Sequence, residues 1–153
     1  MGKTLIDGVD GLKSLVGKEL GQTPWREMTY EMIRKFADAT GDHQWIHVDR
    51  ERAAAGPFGK PIAHGYFTVS LIAGLFFDLV EVRNFGFVIN YGLNKVRFPN
   101  PLKEGQRYRL NVKLGDVKEI PNGVEGLLNG TIEIEGESKP ACAAELVFRF
   151  YGK

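Results

Sequence analysis

The longest apolar stretch, Gly65–Val80, reads GYFTVSLIAGLFFDLV and carries a single charge, Asp78. Its apolar residues fall on every side of a helical wheel. Phe67, Leu71 and Leu75 share one face, and Val69, Ile72 and Phe76 share another. A helix that is apolar all round is buried all round, so the pattern predicts a core helix. At 1.5 Å per residue it is about 24 Å long, short for a membrane span.

Beyond this stretch the period changes to two. Tyr108, Leu110, Val112 and Leu114 alternate with Arg107, Arg109, Asn111 and Lys113. Ile132 and Ile134 alternate with Thr131, Glu133 and Glu135, and Leu146, Phe148 and Phe150 with Glu145, Val147 and Arg149. Each run predicts a half-buried strand of an antiparallel sheet with one wet face. Phe85–Phe98 predicts a further strand whose apolar positions are odd up to Leu93 and even at Val96 and Phe98. That phase flip predicts a β-bulge near Gly92–Asn94. Pro99–Gly105, Pro121–Gly123 and Gly136–Pro140 predict the turns.

The first part of the chain is less regular. Leu5, Val9, Leu12 and Val16 have the spacing of a short amphipathic helix, weakened by Gly8 and Gly11. Lys18–Trp25 reads as extended. Thr29 is placed to cap a helix over Tyr30–Ala39, with Ile33, Phe36, Ala37 and Thr40 on one face and Gly41 as its stop. Asp42–His64 is long for a connection. A turn or two of helix is expected at Arg50–Ala55, and Trp45, Ile46 and Phe58 argue for a packed loop.

One all-apolar helix, four late strands and an early extended segment predict an α+β fold, in which a curved antiparallel sheet wraps the helix. That is the hotdog arrangement, here as a single domain over residues 1–153. Such a sheet has edges, and pairing with a second copy would cover them.

Composition narrows the partners. Lys+Arg 20 against Asp+Glu 19 leaves +1, so no global field draws nucleic acid or an anionic membrane. A lone cysteine, Cys142, fits no internal disulfide framework and suits a reducing compartment. The segment MGKTLIDGVDGLKSLVG has no long apolar run and is a poor myristoylation match, so a cytoplasmic location is expected.

Candidate chemistry concentrates just ahead of the apolar helix. Ala37–Gly65 holds all three histidines, His43, His47 and His64, together with Asp38, Asp42 and Asp49. The main signal is Asp42-x4-His47. Gly41-Asp42 also reads as a plain turn and helix stop, and a single histidine is often structural. The loop, however, leads into a helix start, where free N–H groups and a partial positive charge meet at Gly65. A carboxylate and an imidazole beside such a terminus supply proton transfer and an oxyanion binder, two parts that carbonyl chemistry needs.

In these residues the chain resembles the MaoC-like, or hydratase 2, family of (R)-specific enoyl-CoA hydratases, and within it the NodN-like branch. The matching segments are ADATGDHQWIHVD at 37–49, AAAGPFG at 53–59, PIAHG at 61–65 and NYGLNKVRFPNP at 90–101. The resemblance implies a hotdog homodimer that adds water across a trans-2-enoyl thioester, giving the (R)-3-hydroxyacyl product. An already polarised enoyl thioester needs no metal, so the expected enzyme is a metal-free, cofactor-free hydro-lyase acting on an acyl-CoA or acyl carrier protein thioester. The resemblance also implies Asp42 and His47 as the catalytic pair and Gly65 as the oxyanion-binding glycine. The chain departs from the family at Gln44-Trp45, where many members carry Asn-Pro. A bulky indole there is expected to alter the pocket.

Other polar residues have two readings each. His64 lines the site or caps the helix. Ser70 supports the pair, or bonds the carbonyl four residues back. Asn90, Tyr91 and Asn94 lie near the site, or satisfy a bulged backbone. Arg97, Lys95, Lys60 and Arg52 are candidates for CoA phosphates or are solvated charges. His43, His47 and Asp49 do not make an evident metal set. No GxSxG, GxGxxG, P-loop or HExxH pattern occurs. The rival readings are a hotdog acyl-CoA thioesterase and a non-catalytic acyl-thioester-binding member, since fold alone does not separate them.

Overall fold

The structure, a computed structural model, describes residues 2–152. The chain begins with β1 (Thr4–Asp7), α1 (Gly8–Lys13), β2 (Glu19–Gln22) and β3 (Arg26–Glu27). Four helices follow: α2 (Tyr30–Thr40), α3 (Trp45–Val48), α4 (Arg50–Ala54) and α5 (Gly65–Leu79). The remainder is β4 (Val80–Arg83), β5 (Phe87–Arg97), β6 (Arg107–Ile120), β7 (Gly123–Ile134) and β8 (Cys142–Tyr151).

The main sheet is antiparallel and runs β2-β6-β7-β8-β5, with β3 pairing β6 next to β2. Its inner face is the one the alternation predicts. Tyr108, Leu110, Val112, Leu114, Ile132, Ile134, Leu146, Phe148 and Phe150 are all buried. Helix α5 lies on that face through Ile72, Leu75 and Phe76, and the Phe76 ring meets Phe148 edge-on at 5.3 Å. At Gly130 the packing is tight on the strand side, where a Cβ would stand 3.0 Å from Leu146 Cδ1 and in ordinary contact, 3.6 Å, with Ile72 Cγ2 of the helix. This is the expected hotdog arrangement, an α+β fold with the helix cradled by a long sheet.

Local signals account for most element ends. The Thr29 hydroxyl accepts the Met32 N–H at 3.2 Å, and Gly41 stops α2 in the left-handed region at φ +83°. Thr40, expected on the apolar face, is exposed and donates its hydroxyl to the Phe36 carbonyl at 2.8 Å.

Three expectations are corrected. The amphipathic helix read from Leu5 to Val16 is a strand followed by a short helix. β1 pairs in parallel with β4, Ile6 rather than Leu5 is buried, and Gly8 turns the chain at φ +65°. Tertiary pairing overrides the helical spacing there. The single bulge in β5 is two, with register shifts between Asn90 and Gly92 and between Leu93 and Lys95. Ahead of the bulges Val88 and Asn90 oppose the inward Phe150 and Phe148, which leaves Phe87 and Ile89 exposed; the shifts then bring Leu93 and Val96 opposite Leu146 and Ala144. Finally, α5 is not buried all round. The sheet covers one side and Phe36 of α2 stacks on Phe67 at 4.9 Å, but Tyr66 is 73% and Phe77 42% exposed.

Gly123 supplies a test of the sheet. A Cβ there would fall 2.2 Å from the Phe150 carbonyl oxygen, a backbone atom that cannot move without opening the β7–β8 ladder. Gly123→Ala is expected to lower unfolding free energy by about 1–3 kcal/mol, the usual range for overpacking. Urea denaturation checks this, and an unchanged midpoint would contradict the register described.

Candidate active site

The site is assembled from two short segments. After Gly41 reverses the chain, the Asp42 carboxylate accepts the Gln44 N–H at 3.3 Å, an Asx-type turn that leads into α3. One turn of helix then carries His47 inward, to 6% exposure. The second segment, residues 61–64, is buried throughout and clipped to the β5–β6 connection. The Ala63 N–H bonds the Leu102 carbonyl at 2.7 Å, and Ile62 bridges to Lys103.

The two segments meet through side chains. His47 Nδ1 lies 2.7 Å from the Ile62 carbonyl oxygen. A carbonyl only accepts, so Nδ1 carries the hydrogen and Nε2 keeps a bare lone pair. Burial pushes the His47 imidazole below its ordinary value. The Ile62 bond and Asp42 oppose this, and His64 adds to it. His64 Nε2 lies 3.0 Å from the Asp42 carbonyl oxygen, and its ring stacks on that of His47 at 3.7 Å and 21°. Ligand atoms of Asp42, His47 and His64 all lie within 4.8 Å of one another.

These three residues and Gly65 line a cavity of about 480 Å³, completed by aromatic walls from Phe36, Tyr66 and Phe98. Gly65 is the first residue of α5, and among the described residues its N–H has no protein acceptor. A larger residue would force Phe98 aside, since a Cβ would sit 2.8 Å from its ring. The cavity thus holds a carboxylate, an imidazole lone pair and a free backbone donor. Two acceptors can grip one water while the donor meets a developing oxyanion.

Two histidines and a carboxylate are also a metal-binding composition. The stacking argues against a shared ion. A ligand lone pair lies in its ring plane, and these planes run nearly parallel, 3.7 Å apart between centroids. An ion about 2.0–2.1 Å from both nitrogens could not lie in both planes. The set weighed from sequence is dispersed: His43 pairs with Asp38 at 2.8 Å, and Asp49 caps α4 through the Arg52 N–H at 3.0 Å.

The weaker candidates separate. Ser70 donates to the Tyr66 carbonyl at 2.6 Å, the back-bond to the preceding turn. With Asn90 it lines a second cavity of about 300 Å³, walled by Val69, Ala73, Leu93 and Phe148. Trp45 stands apart from the first cavity. Two residues from His47 on one helical turn, it points about 200° away, packing on Gly56 beneath the Arg52 guanidinium at 4.4 Å. Tyr91 is the extra residue of a bulge and turns outward under Arg149, 3.5 Å from the guanidinium carbon to the ring centroid. Arg97 pairs with Ala143 on the outer side, in a depression shared with Lys95 and Lys113. Sequence reasoning gave no site role to Phe36, Tyr66 or Phe98. Phe36 was signalled only as part of the apolar face of α2.

Residues 12–133 match the MaoC like domain. The chain belongs to the MaoC-like family. It is 48% identical over 146 residues to 3-hydroxyacyl-thioester dehydratase Z of Mycobacterium tuberculosis, covering 95% of this chain and 97% of that protein. It is 42% identical over 139 residues to nodulation protein N of Rhizobium meliloti, covering 89% and 86%. Among solved structures it shares its fold with the R-hydratase PhaJ1 of Pseudomonas aeruginosa, with TM-score 0.73, 20% identity and coverage of 90% and 83%. The (R)-hydratase from A. caviae involved in PHA biosynthesis matches at TM-score 0.71, 23% identity and coverage of 87% and 94%. This MaoC-like chain therefore has the fold that the sequence pattern predicted.

The depressed His47 pKa has a consequence for stability. A group held neutral by burial contributes fully above its unfolded value, about 6.5, and loses that contribution as pH falls towards and through the folded one. Unfolding free energy is expected to decline between pH 7 and 5, with a shallower decline in His47→Gln. Parallel urea titrations of both proteins decide it, and equal slopes would refute a neutral buried His47.

Proposed function

We propose that this protein is an (R)-specific enoyl-CoA hydratase, equally a 3-hydroxyacyl-thioester dehydratase, a hydro-lyase in which Asp42 and His47 are catalytic and Gly65 binds the oxyanion. The observation that carries the reading is the convergence of the Asp42 carboxylate and the bare His47 Nε2 on the cavity where the Gly65 N–H is free. Likeness to 3-hydroxyacyl-thioester dehydratase Z over nearly the whole of both chains supports the same chemistry.

In the hydration direction, Asp42 and His47 hold a water between them as joint acceptors. One of them takes its proton as the oxygen attacks C3 of the enoyl thioester. The electron pair of the double bond moves towards C2, and the thioester oxygen gains enolate charge. The Gly65 N–H and the start of α5 stabilise that charge, each such donor being worth about 3–4 kcal/mol. The proton then passes to C2 from the same side, and the pair returns to its starting state. The two groups titrate as a unit, so the first proton belongs to the pair.

The second cavity, one turn along α5, suits the acyl chain, with Val69, Ala73, Leu93 and Phe148 as its apolar walls. It opens towards β5, which pairs only with β8 among the described residues. Phe87, Ile89, Tyr91 and Leu93 are exposed along that edge, as are Tyr66 and Phe77 of α5. An apolar free edge beside an apolar helix face supports a homodimer joined through β5. We further infer a single functional domain acting on CoA or acyl carrier protein thioesters of fatty acid metabolism in the cytoplasm. No helix among the described residues is long and apolar enough to cross a membrane.

Crotonyl-CoA tests the reaction. Loss of enoyl absorbance without free thiol is expected, whereas thiol release would indicate a thioesterase. Asp42→Asn and His47→Gln are each expected to lower kcat by about 10²–10⁴-fold. Unchanged turnover in both would remove the assignment. The acid limb of kcat/KM should lie below the ordinary imidazole value of about 6.5, because the active His47 is neutral and burial favours that form. For assembly, light scattering should give twice the chain mass, and Leu93→Lys should shift it towards the monomer. A wild-type monomer would contradict pairing through β5.

A further inference from the structure

We propose that His64 is a positioning residue for the Asp42/His47 pair, tying the Asp42 main chain to the start of α5 and fixing the plane of the His47 ring. This rests on the hydratase reading and goes beyond it, since His64 needs no contact with substrate to act.

Three contacts argue for the role. His64 donates from Nε2 to the Asp42 carbonyl across a sequence gap of 22 residues, so the loop bearing the carboxylate is moored to the residue that caps α5. Its ring stacks on His47, itself held at the far nitrogen by Ile62, so the imidazole is fixed both at one edge and on one face. Phe36 packs against the same His64 ring at 4.8 Å, joining it to α2.

The polar bookkeeping of His64 points the same way. Donation from Nε2 leaves Nδ1 without a hydrogen, and Nδ1 is buried with no hydrogen-bond partner among the described residues. An unpaired buried acceptor is destabilising. An apolar ring of similar shape would fill the space without that defect, so packing alone does not account for a histidine. What a histidine adds is the N–H that holds Asp42. The titratable groups facing it are Asp42 and His47, the two whose spacing matters for chemistry. Its position directly before Gly65 lets the same residue set the dyad against the oxyanion donor.

Two variants separate the contributions. His64→Phe keeps a flat ring and loses the donor, and His64→Gln keeps a donor and loses the ring. With the hydratase assay on crotonyl-CoA, each should lower kcat by about a hundredfold, the effect of a small misplacement of reacting groups. KM should stay within about twofold, because no ground-state contact is removed. The acid limb of the pH profile should move upward in His64→Gln, since the stacked His64 ring covers one face of His47, whose burial holds its pKa down. Long-range proton–nitrogen NMR of the wild-type chain, without substrate, should show His64 as the Nε2–H tautomer. Full kcat in both variants, KM rising in step with lost kcat, or an Nδ1–H tautomer would overturn the proposal. Absence of enoyl hydration in the wild type would instead overturn the functional reading. The tautomer and the effect of His64→Gln on His47 titration, both read by NMR, would still decide the placement.

Discussion

The hydrogen bond from His47 Nδ1 to the Ile62 carbonyl is the contact on which the site depends. It is buried, and it joins parts of the chain fifteen residues apart. Ile62 closes the clasp from its other end, donating its N–H to the Ile46 carbonyl at 3.0 Å. A neutral imidazole has one donor and one acceptor, so engaging Nδ1 with a carbonyl determines what Nε2 can do. Orientation, tautomer and burial of the ring therefore share one cause. If the clasp opened, His47 would lose its fixed aim and the desolvation that keeps it neutral.

The sheet matters to the site through this clasp. The connection leading into β6 holds residues 61–63 from one side, by the Ala63–Leu102 and Glu104–Pro61 backbone bonds of 2.7 and 2.8 Å. The clasp holds them from the other. Between the two, Gly65 begins a helix whose Ile72, Leu75 and Phe76 are locked on the sheet. The apolar core thus sets the direction of a helix terminus, and the terminus sets where a free N–H points. Polar groups at the site are supported by structure that has no other chemistry to perform.

Much of this was legible in the sequence. Alternation in β6, β7 and β8 was clear because one face meets the core and the other meets water. The end of α2 was clear because Gly41 and Thr29 act locally. The proximity of Asp42 and His47 could be suspected from spacing and from the family segments around them. Where reading failed, the cause was nonlocal. Leu5 and Val16 have helical spacing, yet pairing with β4 decides the segment. Tyr91 looked like a site residue, but the pairing of β5 with β8 leaves it on the outer face. Trp45 looked like a pocket wall because the single turn of α3, which sends it away from His47, carries too little pattern to predict. The stack of His64 on His47 depends on tertiary closure that no local spacing encodes.

The case of α5 differs, because the apolar pattern extends beyond the surface that this chain buries. Its apolar residues encircle the helix, yet the sheet covers only the side with Thr68, Ile72, Leu75 and Phe76. Large apolar side chains left in water on a helix are unremarkable singly. Here Tyr66 and Phe77 lie on the helix that Leu93 of β5 faces, and Phe87, Ile89 and Tyr91 are exposed on the other face of the same edge, so the uncovered residues gather along β5 rather than scatter. Hydrophobic periodicity records where water is excluded in the working assembly, and it is indifferent to which chain excludes it. On the proposed pairing through β5, the second side of α5 and the cavity beside Asn90 acquire the cover that the sequence was written for. The all-round apolar helix and the half-buried helix are then the same observation made at two levels of assembly.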